Sequence, residues 1–429
     1  MKKLRTPGVV FLMIFLAGLS CGCARPGGVQ QQAGDKIVIG APLSLSGKYA
    51  KEGQMALWGA KAVEKWLNEA NGGVSLNGRK IPVEFRYYDD ESKKESVQSL
   101  VERLITVDKV DFLISPYSSD LALASAPLAD SRQKVMITHG AATDRVYQQG
   151  YKYITQVYTP GSRYQTGFLD MVKNKDPEAK RVAFIYEDDE FSRSVINGAR
   201  DYANKQGFEV VFDKTYPPKP TDLSPLIQEL KAKNPDVIIG GGHFADGQLL
   251  TEQLASLEAN VKAISINVAP AIPDYYKALG AKAEGIMCPG QWERGVKYSP
   301  QAAGEAGVEW FGPSQEEFLS LFSGVASQQP SYHAAGAGAC LLIYAKTIEK
   351  AQSLNPDKIR EELGKLKMMT FFGTWTIDET GKQTGHNMVI TQWQGGENMV
   401  VWPPEAAVAK LYYPLPAWAE KAKGKQAKE

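Results

Sequence analysis

A chain of 429 residues is long enough for two or three domains with large buried cores. Apolar residues make up 43% of it and charged residues 23%, an ordinary globular composition that excludes intrinsic disorder. The formal net charge of +1 gives no sign of nucleic-acid binding or of a polybasic membrane patch, so no nucleic-acid partner is expected.

Residues 1–23 have the features of an export signal. A basic stretch at residues 2–5 precedes an apolar run at residues 9–19, which is too short to span a bilayer. The end of this segment resembles a bacterial lipobox, in which small residues precede a cysteine that becomes lipidated. Lipidation is therefore expected at Cys23, with Cys21 as the alternative.

Residues 24–35 follow the signal and are rich in Gly and Gln, as in a flexible tether. The protein is therefore expected outside the cytoplasm, in the periplasm or at the cell surface, and held to the membrane by lipid. A plain secreted protein is the alternative.

Strands and helices alternate at the start of the mature chain. Residues 37–43 form a short apolar run, typical of a strand covered on both faces. Residues 52–70 have apolar side chains at helical spacing, and the Asn-Gly-Gly at residues 71–73 ends the helix. The next predicted elements are a strand at 81–88, a helix at 96–107 and a strand at 110–115. This β-α-β-α-β order predicts a doubly wound parallel sheet.

The same alternation restarts after residue 180. Strands are predicted at 181–186, 208–215, 236–240 and 261–266, and helices at 191–206, 223–233 and 247–257. Two separate α/β cycles predict two lobes, each with its own sheet, whose strand ends can face each other across a cleft. The remaining predicted elements are helices at 315–323 and 334–351 and a β-rich aromatic section at 370–402.

Two turns rich in small and hydroxyl-bearing residues, 116–120 and 138–143, each follow a short apolar strand. Ligands bind at the carboxyl ends of strands in open parallel sheets. Free N–H groups at a helix start attract an anion, and Ser or Thr side chains add donors. The two turns therefore predict a site of carboxylate size without a catalytic group. Helix capping is the structural alternative for Ser118, Ser119 and Thr143.

No catalytic constellation is evident, so the sequence predicts a receptor rather than an enzyme, without cofactor or metal. The acidic runs at 89–90 and 188–190 lie at helix starts, where acids usually pair with the helix dipole. The glycines at 240–242 lack the Lys-Ser/Thr of a P-loop, and the four histidines have no metal-type spacing. Cys288 and Cys340 are expected to be buried free thiols, with a disulfide as the alternative.

Several short motifs occur in a definite order along the chain. They are residues 39–47 (IGAPLSLSG), Asn71-Gly72-Gly73, Asn77-Gly78-Arg79, Asp89-Asp90, the Ser118-Ser119 turn, the Gly140 to Thr143 turn, Glu187 to Phe191 and Gly240-Gly241-Gly242. Their order and spacing resemble those of the leucine/isoleucine/valine-binding proteins, the type I periplasmic binding proteins of ABC importers. The likeness runs from about Lys36 to about Trp402.

The resemblance implies two α/β lobes joined by a three-crossing hinge, which close on a ligand between them. One lobe is expected at 36–157 and 288–374, and the other at 158–287 and 375–429. The crossings are expected near Tyr158, Met287 and Thr374.

The resemblance also implies where the ligand binds. In that family the serine turn and the alanine–threonine turn hold the ligand carboxylate, and an aromatic residue of the second lobe closes over the ligand. The ligand-binding residues expected here are Tyr117, Ser118, Ser119, Ala141, Ala142, Thr143, Phe191, His243, Asn267 and Trp292. Phe191 stands where the family usually has tyrosine, and Trp292 has hinge packing as its alternative role.

The chain departs from the family pattern where the ligand's amino group is expected to bind. The family's acidic residue for an α-ammonium group is expected after Ile266, yet residues 267–270 contain no carboxylate. A buried ammonium needs a compensating charge or several acceptors, for which Asn267, Asp246 and Glu187 are candidates. The expected ligand is a branched-chain or other amino acid, and the alternative is an aromatic or aliphatic carboxylic acid without an amine.

The resemblance therefore implies a monomeric binding component that delivers a small carboxylate to ABC permease subunits. A ligand-sensing receptor domain of the same fold and an extracytoplasmic hydrolase are the alternatives.

Overall fold

The computed structural model describes residues 35–421. The predicted export signal 1–23, including Cys23, and residues 24–34 of the predicted tether lie outside the described residues. Within residues 35–421 no helix is both long enough and apolar enough to cross a bilayer.

The first sheet contains five parallel strands in the order β4-β1-β5-β6-β7. The elements of this part of the chain are β1 Ile37–Leu43, α1 Ala50–Glu69, β2 Val74–Leu76, β3 Arg79–Ile81, β4 Val83–Asp89, α2 Lys94–Thr106, β5 Phe112–Ile114, α3 Ser119–Ser131, β6 Met136–Thr138 and β7 Ile154–Gln156. The strand predicted at 81–88 is divided into β3 and β4 at Pro82, because proline has no N–H for a strand ladder. Strands β2 and β3 form a separate hairpin.

The second sheet contains seven strands in the order β17-β16-β12-β11-β10-β8-β9. Its first elements are α4 Thr166–Lys175, β8 Arg181–Glu187, α5 Glu190–Gln206, β9 Glu209–Tyr216, α6 Ser224–Ala232, β10 Val237–Gly240, α7 Phe244–Ser256, β11 Ala263–Ile266, α8 Asp274–Leu279 and β12 Met287–Gly290. Strands β8 to β12 pair in parallel. The two sheets confirm the predicted pair of α/β units.

The last part of the chain returns to both units. Its elements are α9 Pro300–Glu305, β13 Glu309–Trp310, α10 Gln315–Ser323, α11 Tyr332–Ala351, α12 Pro356–Lys365, β14 Met368–Thr370, β15 Gly373–Trp375, β16 Val389–Gln394, β17 Glu397–Trp402 and α13 Trp418–Lys421. Strands β16 and β17 join the second sheet in antiparallel pairs, while α11 packs along α1. The two helices touch backbone to backbone, since a Cβ on Gly59 would lie 1.9 Å from Ala334 O.

The chain changes sheets at three places. It leaves the first sheet after Gln156, leaves the second sheet after Gly290 and enters the second sheet again at Val389. The predicted lobe boundaries and crossings stay predictions. Cys288 in β12 and Cys340 in α11 are buried free thiols.

Candidate functional site

Residues at the strand ends of one sheet contact residues at the strand ends of the other. Tyr117, just after β5, has its hydroxyl 3.0 Å from Nδ1 of His243, which lies just after β10. Glu52, in the first turn of α1, accepts a hydrogen bond from Phe244 N at 3.0 Å through Oε1. The carboxyl ends of the two sheets therefore face each other, and we call the region between them the cleft.

An ion-pair cluster occupies one side of the cleft. Lys48 Nζ lies 2.7 Å from Glu187 Oε1 and 3.6 Å from Asp189 Oδ2. His243 Nε2 lies 2.7 Å from Asp189 Oδ2. Two basic and two acidic side chains thus face each other with their charges balanced.

Burial and ion pairing act in opposite directions on this cluster. Burial lowers the pKa of the His243 imidazole, but the adjacent Asp189 carboxylate outweighs burial, and the net pKa is raised. Burial likewise raises the pKa of Asp189, yet His243 and Lys48 hold it below its usual range. The pKa of Glu187 is raised, chiefly by burial. His243 and Asp189 therefore form a charged pair inside the protein.

The cluster also meets a geometric condition for metal binding. Glu187, Asp189 and His243 offer ligand atoms that lie within 4.8 Å of one another. The Lys48 ammonium already pairs with both carboxylates, so their charge is compensated without an ion. We therefore treat the cluster as a set of ion pairs.

The serine turn differs from a simple helix cap. α3 begins at Ser119, with Ser118 at the N-cap position, but the Ser118 side chain makes no capping hydrogen bond. Ser118 is 1% exposed, and its Oγ has no hydrogen-bond partner among residues 35–421. The Tyr49 hydroxyl lies near Ser118, whose hydroxyl acts to lower the pKa of Tyr49. The two hydroxyls are nevertheless not in hydrogen-bond geometry. Capping therefore does not explain the Ser118 side chain.

The alanine–threonine turn already has partners. Thr143 Oγ1 accepts a hydrogen bond from Arg145 N at 3.3 Å and donates one to Glu190 Oε1, at the start of α5, at 2.7 Å. Ser119 Oγ accepts a hydrogen bond from Thr143 N at 3.2 Å. The carbonyls of Ala141 and Ala142 accept hydrogen bonds from Gln156 Nε2 and Gly161 N, respectively. The capping alternative is thus observed for Thr143, whose hydroxyl also binds a carboxylate from across the cleft.

The predicted aromatic residues of the cleft lie together. The Phe191 ring centroid is 5.3 Å from that of His243 and 5.6 Å from that of Tyr164. The Tyr117 ring centroid is 5.6 Å from that of His243 and 5.4 Å from that of His333. All five rings are buried. The structure therefore joins Tyr117, Phe191 and His243 in one aromatic group.

Two other predicted residues have different surroundings. Asn267 Oδ1 accepts a hydrogen bond from Gln165 Nε2 at 2.8 Å, so its acceptor is used within the protein. The Trp292 ring packs against Phe318, at 5.8 Å between centroids, and Phe371, at 6.5 Å. These contacts describe packing near the predicted crossing, which is the alternative role given for Trp292.

Several cleft residues were not predicted from the sequence. Glu52 is fully buried, although α1 reads as an amphipathic surface helix. Its spacing to Met55, Gly59 and Val63, all buried, puts it on the inward face and is the signal that could have identified it. Lys48, in the turn before α1, carried no comparable signal.

Buried polar atoms without partners are concentrated around the cleft. Within the described chain they include Glu52 Oε2, Ser118 Oγ, both ring nitrogens of His139, Tyr158 Oη, both carboxylate oxygens of Glu187, Ser192 Oγ, Trp292 Nε1 and His333 Nε2. The Tyr332 ring connects two of these residues, because it lies 4.0 Å from His333 and 5.7 Å from Tyr158, between centroids. A buried polar atom without a partner costs about 1–3 kcal/mol. A concentration of such atoms is expected around a space that a polar ligand fills.

The two buried histidines of this group are neutral. Burial lowers the pKa of His139 to about 4, and the nearby Ser115 backbone opposes this change only in part. Neither ring nitrogen of His139 is in hydrogen-bond geometry with a partner in the described chain. Burial also lowers the pKa of His333 well below its ordinary value. Neutral His139 therefore has one N–H donor and one acceptor to offer. His333 has only Nε2 to offer, because its Nδ1 is hydrogen-bonded to Ser331 Oγ at 3.2 Å.

Two α/β sheets, one parallel and one mixed, whose strand ends face each other in this way are the architecture of a two-lobed binding protein. A family model described as Periplasmic binding protein matches residues 36–398, and the chain belongs to this family of extracytoplasmic substrate-binding proteins. The chain is 25% identical over 417 residues to the Leu/Ile/Val-binding protein homolog 8 of Brucella abortus (strain 2308), covering 93% of this chain and 98% of the relative. The resemblance inferred from the motifs is confirmed.

Solved structures share the fold. The leucine binding protein LivK from Thermotoga maritima MSB8 has a TM-score of 0.72 at 22% identity, covering 86% of this chain and 99% of its own. LivJ from Streptococcus pneumoniae, in complex with isoleucine, has a TM-score of 0.72 at 20% identity, covering 86% and 100%. A solute binding protein from R. palustris, in complex with 4-hydroxybenzoate, has a TM-score of 0.70 at 21% identity, covering 85% and 95%. These likenesses confirm the predicted fold class.

Proposed function

We propose that this chain is the extracytoplasmic substrate-binding component of an ABC importer and that it binds a small carboxylate, a branched-chain or other amino acid, in the cleft. The observation that carries the proposal is the buried Ser118 Oγ, which has no partner in the described chain and lies at the start of α3. A hydroxyl donor beside the free N–H groups of a helix start is suited to a carboxylate.

The contacts across the cleft support binding by closure. Tyr117 with His243, Glu52 with Phe244 and Lys48 with Glu187 join the two units directly. Tyr117 and Phe191 form apolar walls. Ligand binding shifts the population towards this closed form, which the permease subunits recognise.

The names of related proteins agree with this function. The relative from Brucella abortus is called a Leu/Ile/Val-binding protein homolog, and LivJ is described in complex with isoleucine. We further propose that the mature protein is a monomer without enzymatic activity. Cleavage of the export signal and lipidation of Cys23 would hold it at the outer side of the membrane.

A carboxylic acid without an amine is the second candidate. Residues 267–270, in the loop after β11, contain no carboxylate for an ammonium group. The one neutral side-chain acceptor there, Asn267 Oδ1, already accepts a hydrogen bond from Gln165. One structural neighbour is described in complex with 4-hydroxybenzoate. An aromatic acid would find neutral donors and aromatic walls in the cleft.

Thermal unfolding of the purified mature protein with a panel of ligands tests the function. The panel contains the common amino acids and aromatic and aliphatic acids, including benzoate and 4-hydroxybenzoate. A ligand at 100 times its Kd stabilises the folded protein by about 2.7 kcal/mol, which raises the melting temperature measurably. No stabilisation by any compound would contradict the proposal, and recovery of a chemically altered ligand would support the hydrolase instead.

A further inference from the structure

Glu52, Glu187, Asp189 and Asp246 are buried carboxyl groups near the cleft, and the last three have either a cation beside them or two hydrogen bonds. Glu187 pairs with Lys48 at 2.7 Å, and Asp189 pairs with His243 at 2.7 Å. The partners of the third, Asp246, are the His243 N–H at 2.8 Å and the Tyr216 hydroxyl at 2.7 Å, one for each carboxylate oxygen.

Glu52 is the fourth. Glu187 also has carboxylate oxygens without a hydrogen-bond partner among residues 35–421, but Glu52 differs from it because no cation lies beside Glu52. Its Oε1 accepts a single hydrogen bond, from Phe244 N of the opposite unit, and its Oε2 has no partner among residues 35–421. No Lys or Arg in the described chain forms a salt bridge with it at 4.0 Å or less, and it is 0% exposed. A fully buried carboxylate in this state is a vacant acceptor for a positively charged hydrogen-bond donor.

The charge distribution of the cleft also favours a cationic donor at Glu52. Lys48 and His243 are matched by Glu187 and Asp189, so Asp246 and Glu52 are left without a cation. Both oxygens of Asp246 accept hydrogen bonds, whereas Glu52 Oε2 has no partner among residues 35–421. Burial raises the pKa of Glu52, an effect that the nearby His243 only partly opposes. A cation bound at Oε2 would compensate this burial.

We propose that Glu52 binds the ligand's ammonium group and that the ligand is therefore an amine-bearing carboxylate rather than an amine-free acid. This inference rests on the proposed function. The ligand carboxylate lies at Ser118 and the α3 start, and its ammonium donates to Glu52 Oε2. Because Oε1 holds Phe244 of the opposite unit, the same side chain connects amine recognition with closure.

Titration calorimetry with matched ligand pairs tests the inference on the mature protein. The pairs are leucine with 4-methylpentanoate and phenylalanine with 3-phenylpropanoate, which differ only in the ammonium group. The wild-type protein is expected to bind the amine-bearing member of a pair at least about tenfold more tightly. In Glu52→Gln, which keeps an oxygen for Phe244 N, affinity for that member should fall at least about tenfold and affinity for the amine-free member should stay within about twofold.

Glu293→Gln is the matched control. Glu293 is also buried, but it accepts hydrogen bonds from Arg294 N and Asn398 Nδ2, and this variant should keep the selectivity of the wild type. Thermal unfolding and circular dichroism check that both variants are folded.

The outcomes separate the two proposals. Equal weakening of both members of a pair by Glu52→Gln, or a wild-type preference for the amine-free member, overturns the role of Glu52 and leaves the binding function intact. If the wild type binds neither these pairs nor any compound of the wider panel, the proposed function itself fails.

Discussion

The two faces of the cleft are built from different chemistry. The face formed by the first sheet has several groups with unused hydrogen-bonding capacity, including Ser118 Oγ and both ring nitrogens of His139. The face formed by the second sheet also has such a group, Ser192 Oγ, but most of its charged side chains are paired, as Asp189 is with His243. Similar α/β units thus present different surfaces at equivalent strand ends.

This difference indicates that the two faces have different roles in ligand binding. Unused donors bind a ligand without rearrangement, because no existing bond has to break. Ion pairs that reach across the cleft, such as Lys48 with Glu187, form only when the two units are close together. We therefore expect the first face to determine ligand affinity directly and the second face to act through closure.

The sharpest way to break the comparison is to remove the serine donor. In Ser118→Ala, ligand affinity should fall by about 1–3 kcal/mol, or roughly 5- to 150-fold, because the ligand carboxylate loses a buried hydroxyl donor. The melting temperature of the ligand-free protein should not fall, since Ser118 Oγ has no partner in the described structure. Calorimetry and thermal unfolding measure the two quantities.

A neighbouring serine provides the control for this variant. Ser125 is buried in the same helix, but its hydroxyl donates to Ala122 O at 3.0 Å. Ser125→Ala should leave ligand affinity unchanged. Wild-type affinity in Ser118→Ala would move the carboxylate site away from the serine turn.

On the second face, Asn267→Ala should act on stability rather than on affinity. The substitution leaves Gln165 Nε2 buried without the acceptor it has at 2.8 Å, which should lower the free energy of unfolding by about 1–3 kcal/mol. Denaturant unfolding measures this change. A large loss of ligand affinity in a variant that is still folded would instead return Asn267 to the ligand site.

The pH dependence of folding stability should report on His243. Its pKa is raised above the ordinary value of 6.5 by Asp189 of the same unit, against the effect of burial. The contribution of its charged form to stability is therefore complete below pH 6.5 and is lost as the pH rises through the raised pKa. The raised pKa values of Glu52 and Glu187 act in the same direction, because burying either as an anion becomes harder as pH rises.

We therefore expect the free energy of unfolding of the ligand-free protein to fall as the pH rises from about 6 to about 9. Denaturant unfolding across this range measures it. His243→Asn should have a flatter profile, and a stability that rises with pH in the wild type would show that the pair of His243 and Asp189 does not stabilise the folded protein.

The smallest effect is expected at the edge of the cleft. Glu190 accepts a hydrogen bond from Thr143 Oγ1 at 2.7 Å and pairs with Arg145, whose side chain is 62% exposed. Exposed ion pairs contribute about 0.2–1 kcal/mol, so Glu190→Gln should weaken every ligand by less than about fivefold. A change in selectivity between ligands would contradict a role confined to closure.

The sequence was most informative about the fold. Apolar runs such as 37–43 and 237–240 identify buried parallel strands, and helical spacing identifies α5 and α10 to within a residue or two. Local chemistry explains the errors. Helix α7 begins at Phe244, three residues before the predicted start, because the Asp246 carboxylate accepts the His243 N–H and closes its first turn.

The site was less predictable, because it depends on pairs that are distant in the sequence. The sequence around Glu52 does not indicate that Phe244 lies against it. The sequence around Thr143 likewise does not indicate that Glu190 accepts a hydrogen bond from its hydroxyl. Position along the chain could identify the serine turn, whereas only three-dimensional contacts distinguish Ser118, whose donor is unused, from Thr143, whose donor is occupied. Ligand contact by the predicted residues stays a prediction.

The backbone contact between α1 and α11 has a consequence for the diversity of ligands. Because Gly59 allows no gap against Ala334, Glu52 at one helix start and His333 at the other are carried on a single stiff frame. Replacing either side chain would alter which ligand is bound without disturbing the packing of the two helices. New specificities can therefore arise from one substitution at a helix tip, while the scaffold around it is inherited unchanged.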